Sequence, residues 1–366
     1  LYGEGWDFGE VAKGARGPNA TQPNMAGTGI GTFNDRIRDA IRGGNPFGDR
    51  REQGFTTGIA DDPNGFSGSG AGDRGKILGG MDRIKVGLAG NMTDFAFINS
   101  SGQPATGGAN GVGYARDPQE VINYAAAHDN ETFWDKIAYA APPTLPVAER
   151  VRMQMLSLAL VGLGQGIPFF HAGEEMLRSK SMDADSYNSG DWFNRLDFTF
   201  ATNNFGVGLP MADKNKDRWS IMKPLFGRSD LTPATADIQA SSDYFREILA
   251  IRKSSPLFRL RTADDIRRKL SFPAGASVRI PGVIVMTLAD PTGAGDTDPN
   301  VGTLLVIFNA TKSDQTVADD TWRGGKYTLH PAQEASSDSR TRTSSYDAGR
   351  GAFKVPARTT AVFRAP

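Results

Sequence analysis

The sequence predicts an α/β protein that passes, in its last third, into an antiparallel β-sandwich. Three observations carry that prediction. The apolar run 121–127 breaks abruptly into His128-Asp129-Asn130, as a buried strand does when it ends at the mouth of a sheet or barrel. Residues 147–163 show helical spacing of Val151, Met155, Leu158 and Ala159, and Ile167-Pro168-Phe169-Phe170-His171 follows as a second short strand. Strand, helix, strand in that order is a unit of a parallel α/β sheet or barrel. Beyond about residue 262 the pattern changes to β-rich segments at 283–288, 303–308, 326–329 and 360–363, separated by turn formers and without a comparable helix. The expected division is therefore 1–262 for the α/β part and 263–366 for the sandwich.

Taken in order, the chain opens on Tyr2-Gly3-Glu4-Gly5-Trp6-Asp7-Phe8, a carboxylate flanked by glycines and aromatics. A loop rich in Gly, Pro and Asn leads to residue 32, and 33–41 returns to order before Gly43-Gly44-Asn45-Pro46-Phe47-Gly48. Residues 49–75 are polar and glycine-rich, which predicts a long excursion over a rim. Residues 122–127 are a predicted buried strand. The cluster after it has two readings: ionisable groups presented to a substrate, or a helix start capped by Asp129 or Asn130 ahead of Phe133 and Trp134. Pro146 starts the 147–163 helix, and Gly162, Gly164 and Gly166 close it. Residues 186–204 form a loop crowded with Tyr187, Asp191, Trp192, Phe193 and Asn194. Residues 244–252 predict an amphipathic helix with Phe245, Ile248, Leu249 and Ile251 on or near its apolar side, stopped by Pro256.

The totals exclude several function classes. The 41 basic and 41 acidic side chains cancel, so nothing calls for nucleic acid or a charged membrane surface. There is no cysteine, which removes disulfides and thiolate metal sites, and a total of three histidines argues against a multi-histidine centre. No apolar run approaches the roughly 20 residues that span a bilayer. Residue 1 does not read as a natural beginning, because the chain starts inside a motif.

Several of these stretches resemble the α-amylase superfamily of glycoside hydrolases, and within it the pullulanase and limit-dextrinase group of debranching enzymes. Tyr2-Gly3-Glu4-Gly5-Trp6-Asp7 is similar to the motif ending the fifth barrel strand, and His128-Asp129-Asn130 to that ending the seventh. Gly166-Ile167-Pro168-Phe169-Phe170-His171 is similar to the eighth strand. Leu177-Arg178-Ser179-Lys180-Ser181, the 185–194 segment and Gly206-Val207-Gly208-Leu209-Pro210 are similar to stretches typical of debranching enzymes. The resemblance implies the C-terminal half of a (β/α)₈ TIM barrel followed by the sandwich. It also implies hydrolysis of α-1,6-glucosidic linkages in pullulan, limit dextrins or starch with retention.

Retention needs an acid and a nucleophile about 5–5.5 Å apart. The resemblance assigns the acid to Glu4, which Trp6 would shelter, and transition-state stabilisation to Asp129, with His128 and Asn130 binding the same sugar. Trp6, Phe8 and Phe47 would stack on glucose rings beside Asn45, and Asp217 would lie near the non-reducing subsites. The family's nucleophilic aspartate belongs to a motif upstream of Glu4 that this sequence lacks. The N-terminal half of the same enzyme, or a complementary chain, is thus an expected partner besides the α-glucan, and these 366 residues alone are expected to be inactive. Ala184 stands where relatives often carry a basic residue. No cofactor is required, and Glu174 and Glu175 match a calcium pair in composition only. A cytoplasmic or plastid location is favoured over secretion. The alternatives are a carbohydrate-binding remnant and an α-1,4-acting or branching relative.

Overall fold

Four short parallel strands carry the first part of the chain. In chain order the strands are β1 (Tyr2–Gly3), β2 (Gly31–Phe33), a hairpin of β3 (Ala96–Ile98) and β4 (Pro104–Thr106), then β5 (Val121–Asn123) and β6 (Ile167–Pro168). The parallel sheet has the order β1-β2-β5-β6, with Tyr2 opposite Gly31, Thr32 opposite Val121 and Ile122 opposite Ile167. The computed structural model describes residues 1–290 and 295–366. Parallel neighbours need long crossovers, and here the helices Asp35–Arg42 and Arg74–Leu88 lie between β2 and β5. Phe133–Ala140 and Val147–Leu163 lie between β5 and β6.

The helix Val147–Leu163 is buried from Arg150 to its end, so it is a core element rather than an amphipathic surface helix. It packs on Thr235–Ser254 so closely that a Cβ on Gly162 would come within 2.6 Å of Ile248 Cγ2. Its C-terminal end is closed by Arg252, which donates to the carbonyls of Gly162, Gly164 and Gly166 at 2.9, 2.7 and 3.1 Å. That places a cation on the negative end of the helix dipole.

The second part begins with β7 (Leu270–Ser271), β8 (Val283–Ala289) and β9 (Thr303–Asn309). It continues with β10 (Gln315–Ala318), β11 (Thr328–Leu329), β12 (Ser345–Asp347), β13 (Ala352–Val355) and β14 (Thr359–Ala365). These form two antiparallel sheets, β11-β14-β9-β8-β7 and β10-β13-β12. Val283, Val285, Leu305, Ile307 and Phe363 share one apolar cluster with Val317, Phe353 and Val355 of the smaller sheet. The alternate residues Ile284, Met286, Leu304, Val306 and Phe308 belong to the large cluster shared with the helices. The five-stranded sheet is buried on both faces, which is why its strands read as unbroken apolar runs. Arg152 ties the two parts, donating to Arg358 O at 3.1 Å and Thr359 Oγ1 at 2.8 Å. Arg358 in turn binds Glu149 at 2.8 Å and also Asp62. No helix among the described residues is long and apolar enough to cross a membrane.

Four expectations need correction. The ladder of the 122–127 strand stops at Asn123, whose side-chain amide donates to the carbonyls of Gly87 and Gln165, at 3.0 and 2.9 Å. The eighth-strand segment is not a buried strand: only Ile167 and Pro168 pair, and Ile167 is 41% exposed on a free edge. Residues 53–59 are buried, not a rim loop. Their polar groups are used internally, with Thr56 and Thr57 hydroxyls donating to Ile41 O and Arg42 O at 3.0 and 3.1 Å. The predicted 244–252 helix runs over Thr235–Ser254, and Leu249 faces solvent while Tyr244, Ile248 and Ile251 are buried.

Candidate active site

Each parallel strand delivers part of the candidate site from its C-terminal end. Glu4 follows β1 directly. The residue after it, Gly5, has φ +78°, and its carbonyl accepts Gln22 N at 3.2 Å. Gln22 is itself buried and donates to Phe33 O, at the end of β2, at 2.6 Å. The loop bearing Glu4 is therefore hung from the neighbouring strand.

After β5, Ala125 and Ala126 are fully buried and the chain emerges at His128-Asp129-Asn130. Asn130 takes φ +63° and returns the chain to the interior at Glu131, which is completely buried. Burial opposes the Glu131 charge, but Arg50 and Arg42 outweigh it and hold the carboxyl below its ordinary range. Arg50 Nε donates to it at 2.7 Å. The helix Phe133–Ala140 is then capped by Thr132, whose side chain accepts Asp135 N at 3.2 Å. Neither Asp129 nor Asn130 is the cap, so both side chains are free to face the site. Buried Lys180 donates through Nζ to His128 O at 2.9 Å, and its own N–H donates to Asp135 Oδ2 at 2.8 Å. Burial pushes Asp135 up to about 6, against hydrogen bonds from Ser179 and Lys180.

These constraints bring the two motifs together. His128 Nε2 lies 3.9 Å from Glu4 Oε1, and His128 Nδ1 lies 3.2 Å from Asp129 Oδ1. One ligating atom from each of the three fits within 4.8 Å, a spacing that would also admit a cation. All three side chains are open to solvent, at 50% exposed for Glu4, 75% for His128 and 66% for Asp129. They line a cavity of about 700 Å³ whose rim includes Trp6, Phe8, Phe47 and Asn130. Its floor is aromatic: Phe33 meets Tyr124 and Phe169 edge-to-face at 5.1 and 5.0 Å. Arg38 donates to Tyr124 Oη at 2.6 Å, and burial pushes that phenol up to about 12.

Two expected residues are not brought to the cavity. Asn45 instead fixes the turn beneath Phe47, accepting Phe47 N at 2.9 Å. Asp217 is 74% exposed, sits 3.7 Å from Arg218 in the 216–218 turn, and does not line the cavity. Glu174 is buried, accepts His171 N at 3.2 Å, and is pushed by burial up to about 8, which favours the protonated form and disfavours cation binding. Burial, followed by Arg178, pushes His171 down to about 3, so its neutral ring accepts from Arg178 Nη1 at 3.0 Å. Arg38, Asp35 and Phe33 line the cavity but carry no motif signal; Phe33 and Asp35 are hinted at by position, at or just after the end of β2, and Arg38 reaches the cavity from one turn into the helix that follows, while Phe169 belongs to the eighth-strand segment.

Residues 200–366 match the family model for the C-terminal region of pullulanase-type α-1,6-glucosidases. The chain is 46% identical to Pullulanase 1, chloroplastic, of Arabidopsis thaliana, over 99% of its own length and 39% of that protein's. It is 38% identical to a pullulanase of Klebsiella pneumoniae, over 100% of its length and 34% of the relative's. It superposes on the crystal structure of a maltotriose complex of PulA from Klebsiella pneumoniae with a TM-score of 0.91 at 37% identity, covering all of this chain and 40% of that one. The chain thus spans between a third and two fifths of the length of these curated relatives.

Proposed function

Because the chain belongs to the pullulanase-type α-1,6-glucosidases, of which it matches the C-terminal part, we propose that it supplies the acid-bearing side of a retaining hydrolase of α-1,6-glucosidic branch points in pullulan, limit dextrins or starch. The observation that carries this reading is the convergence of Glu4, His128 and Asp129 from the ends of two different parallel strands, beside exposed aromatic faces. Glu4 donates its proton to the oxygen that leaves the branch point. Asp129 binds ring hydroxyls as the sugar flattens and gains positive charge, and His128 and Asn130 hold the same sugar. Trp6, Phe8 and Phe47 form the platform for the glucose units on the leaving side.

The four parallel strands are, on this proposal, half of a closed (β/α)₈ barrel, with residues 263–366 as the appended sandwich domain. The free edges at β1 and β6 and the aromatic floor between them support it, since a closed barrel fills such a floor with side chains from all its strands. The nucleophile and the rest of the barrel then come from a preceding segment or a complementary chain. The chloroplastic Arabidopsis relative supports a plastid as the place of action.

The test is Glu4→Gln in the enzyme that carries this chain. Turnover of pullulan should fall by several orders of magnitude, whereas a glycoside with an activated leaving group should lose much less in glycosylation. Equal losses on both substrates would remove Glu4 from the acid role. Release of linear chains from branched dextrin, with linear maltooligosaccharides left intact, separates α-1,6 from α-1,4 action.

A further inference from the structure

Trp192, on the 186–204 loop, is the most exposed tryptophan among the described residues, at 62%. An exposed indole on a mobile loop would mean little, but this one is held in place. Its Nε1 donates to Val207 O at 3.1 Å, and its own carbonyl accepts Asn204 Nδ2 at 3.0 Å. The polar edge of the ring is thereby satisfied, and the ring still leaves much of its surface open to solvent. Asp191 and Arg195 bracket it, both exposed and without a side-chain hydrogen bond or ion pair among the described residues. Together with Asn194 these side chains line a recess of about 330 Å³.

The recess is tied to the segment that follows β6. Arg178 donates to Asn194 O at 3.1 Å, to Ala172 O at 2.9 Å and to His171 Nε2 at 3.0 Å, so the loop rides on the segment that ends β6. Ser186 and Asn194 lock the loop from within, at 2.8 and 2.7 Å.

We propose that the recess at Trp192 is a second α-glucan subsite, held to the segment that delivers Phe169 to the candidate active site, with the indole stacking on one glucose unit and Asp191 and Arg195 binding its hydroxyls. A fixed aromatic face flanked by an unpaired acceptor and an unpaired planar donor matches a sugar, whose C–H face is apolar and whose edge is a ring of hydroxyls. A single indole in the recess suits a curved α-linked chain, which offers a single unit at a time. A flat β-linked ribbon favours several coplanar rings. The choice of α-glucan rests on the function proposed above.

The experiment uses the tryptophan indole N–H signals of the enzyme that carries this chain. Trp192→Phe assigns the Trp192 signal by its loss, and Trp6→Phe assigns that of Trp6. Titration with maltotriose should move the Trp192 signal saturably, and should still do so in the Trp6→Ala protein. Asp191→Ala with Arg195→Ala, which leaves the indole in place, should weaken that response at least tenfold. A Trp6 signal that moves while Trp192 stays still overturns the second subsite and leaves the main reading intact. Movement of Trp192 alone supports the subsite and counts against the main site. An equal response to the β-linked trisaccharide cellotriose overturns the α-glucan assignment.

Discussion

Glu4 reaches His128 because the residue after it is glycine. At φ +78°, Gly5 has a conformation that side chains resist, and a Cβ there would lie 2.9 Å from Thr32 Cβ and Cγ2. Gly5→Ala is expected to cost about 1–3 kcal/mol and to shift the Glu4 loop. A lowered melting temperature together with loss of the Trp6 response to maltotriose would show it; an unchanged melt would refute the strain. Glu174 gives a pH signature. Its folded pKa is raised from 4.5 to about 8 by burial, so the native state holds the proton more firmly than the unfolded chain. That contribution is whole below about pH 4.5 and is lost as pH rises through about 8, at up to about 1.4 kcal/mol per pH unit. Glu174→Gln keeps an acceptor for His171 N without the charge. The variant should match the parent in urea midpoint near pH 4.5 and exceed it at pH 8; parallel midpoints would contradict the buried carboxyl. Glu4, His128 and Asp129 were legible because each sits in a local motif. Lys180 and Arg50, which hold the His128 loop, were not, since they reach their partners from 52 and 81 positions away and leave no spacing to read.

At the scale of elements, the 147–163 helix was read to its ends because both boundaries are chemical. Proline starts it, and a run of glycines stops it. What the sequence did not disclose is that Arg252, on another helix, gathers the carbonyls of those glycines. Arg252→Met keeps the apolar stem and strands three acceptors, and should cost roughly 2–3 kcal/mol. Chemical denaturation measures this, and a loss below about 0.5 kcal/mol would mean that water replaces the guanidinium. The strand expected at 122–127 was too long for a reason of the same kind. Apolar character persists through Ala125 and Ala126, which are buried without belonging to the ladder. Burial is what an apolar run reports, and pairing has to be learned from the partner strand.

For the molecule as a whole, the parallel sheet ends in two unpaired edges, at β1 and β6, around an open aromatic floor. Expressed alone, these 366 residues are expected to self-associate and to leave pullulan intact. Sedimentation and reducing-sugar release test the two claims separately. If the isolated chain does hydrolyse pullulan, Asp35 is the remaining carboxylate lining the cavity, although Arg36 and Gln22 already engage it. Asp35→Asn would then have to abolish the activity. The order of the second part was legible as β-rich, but not the place of β14, which lies between β9 and β11. The last strand in the chain is thus an interior strand of the larger sheet. Translation has to pass Ala365 before β9 gains its second neighbour, so the sheet closes only after its other strands have been made. A stop codon or frameshift between His330 and Thr359 leaves β9 and β11 as bare edges and uncovers Phe308 and Leu305. For a product so truncated, quality control rather than catalysis decides its fate.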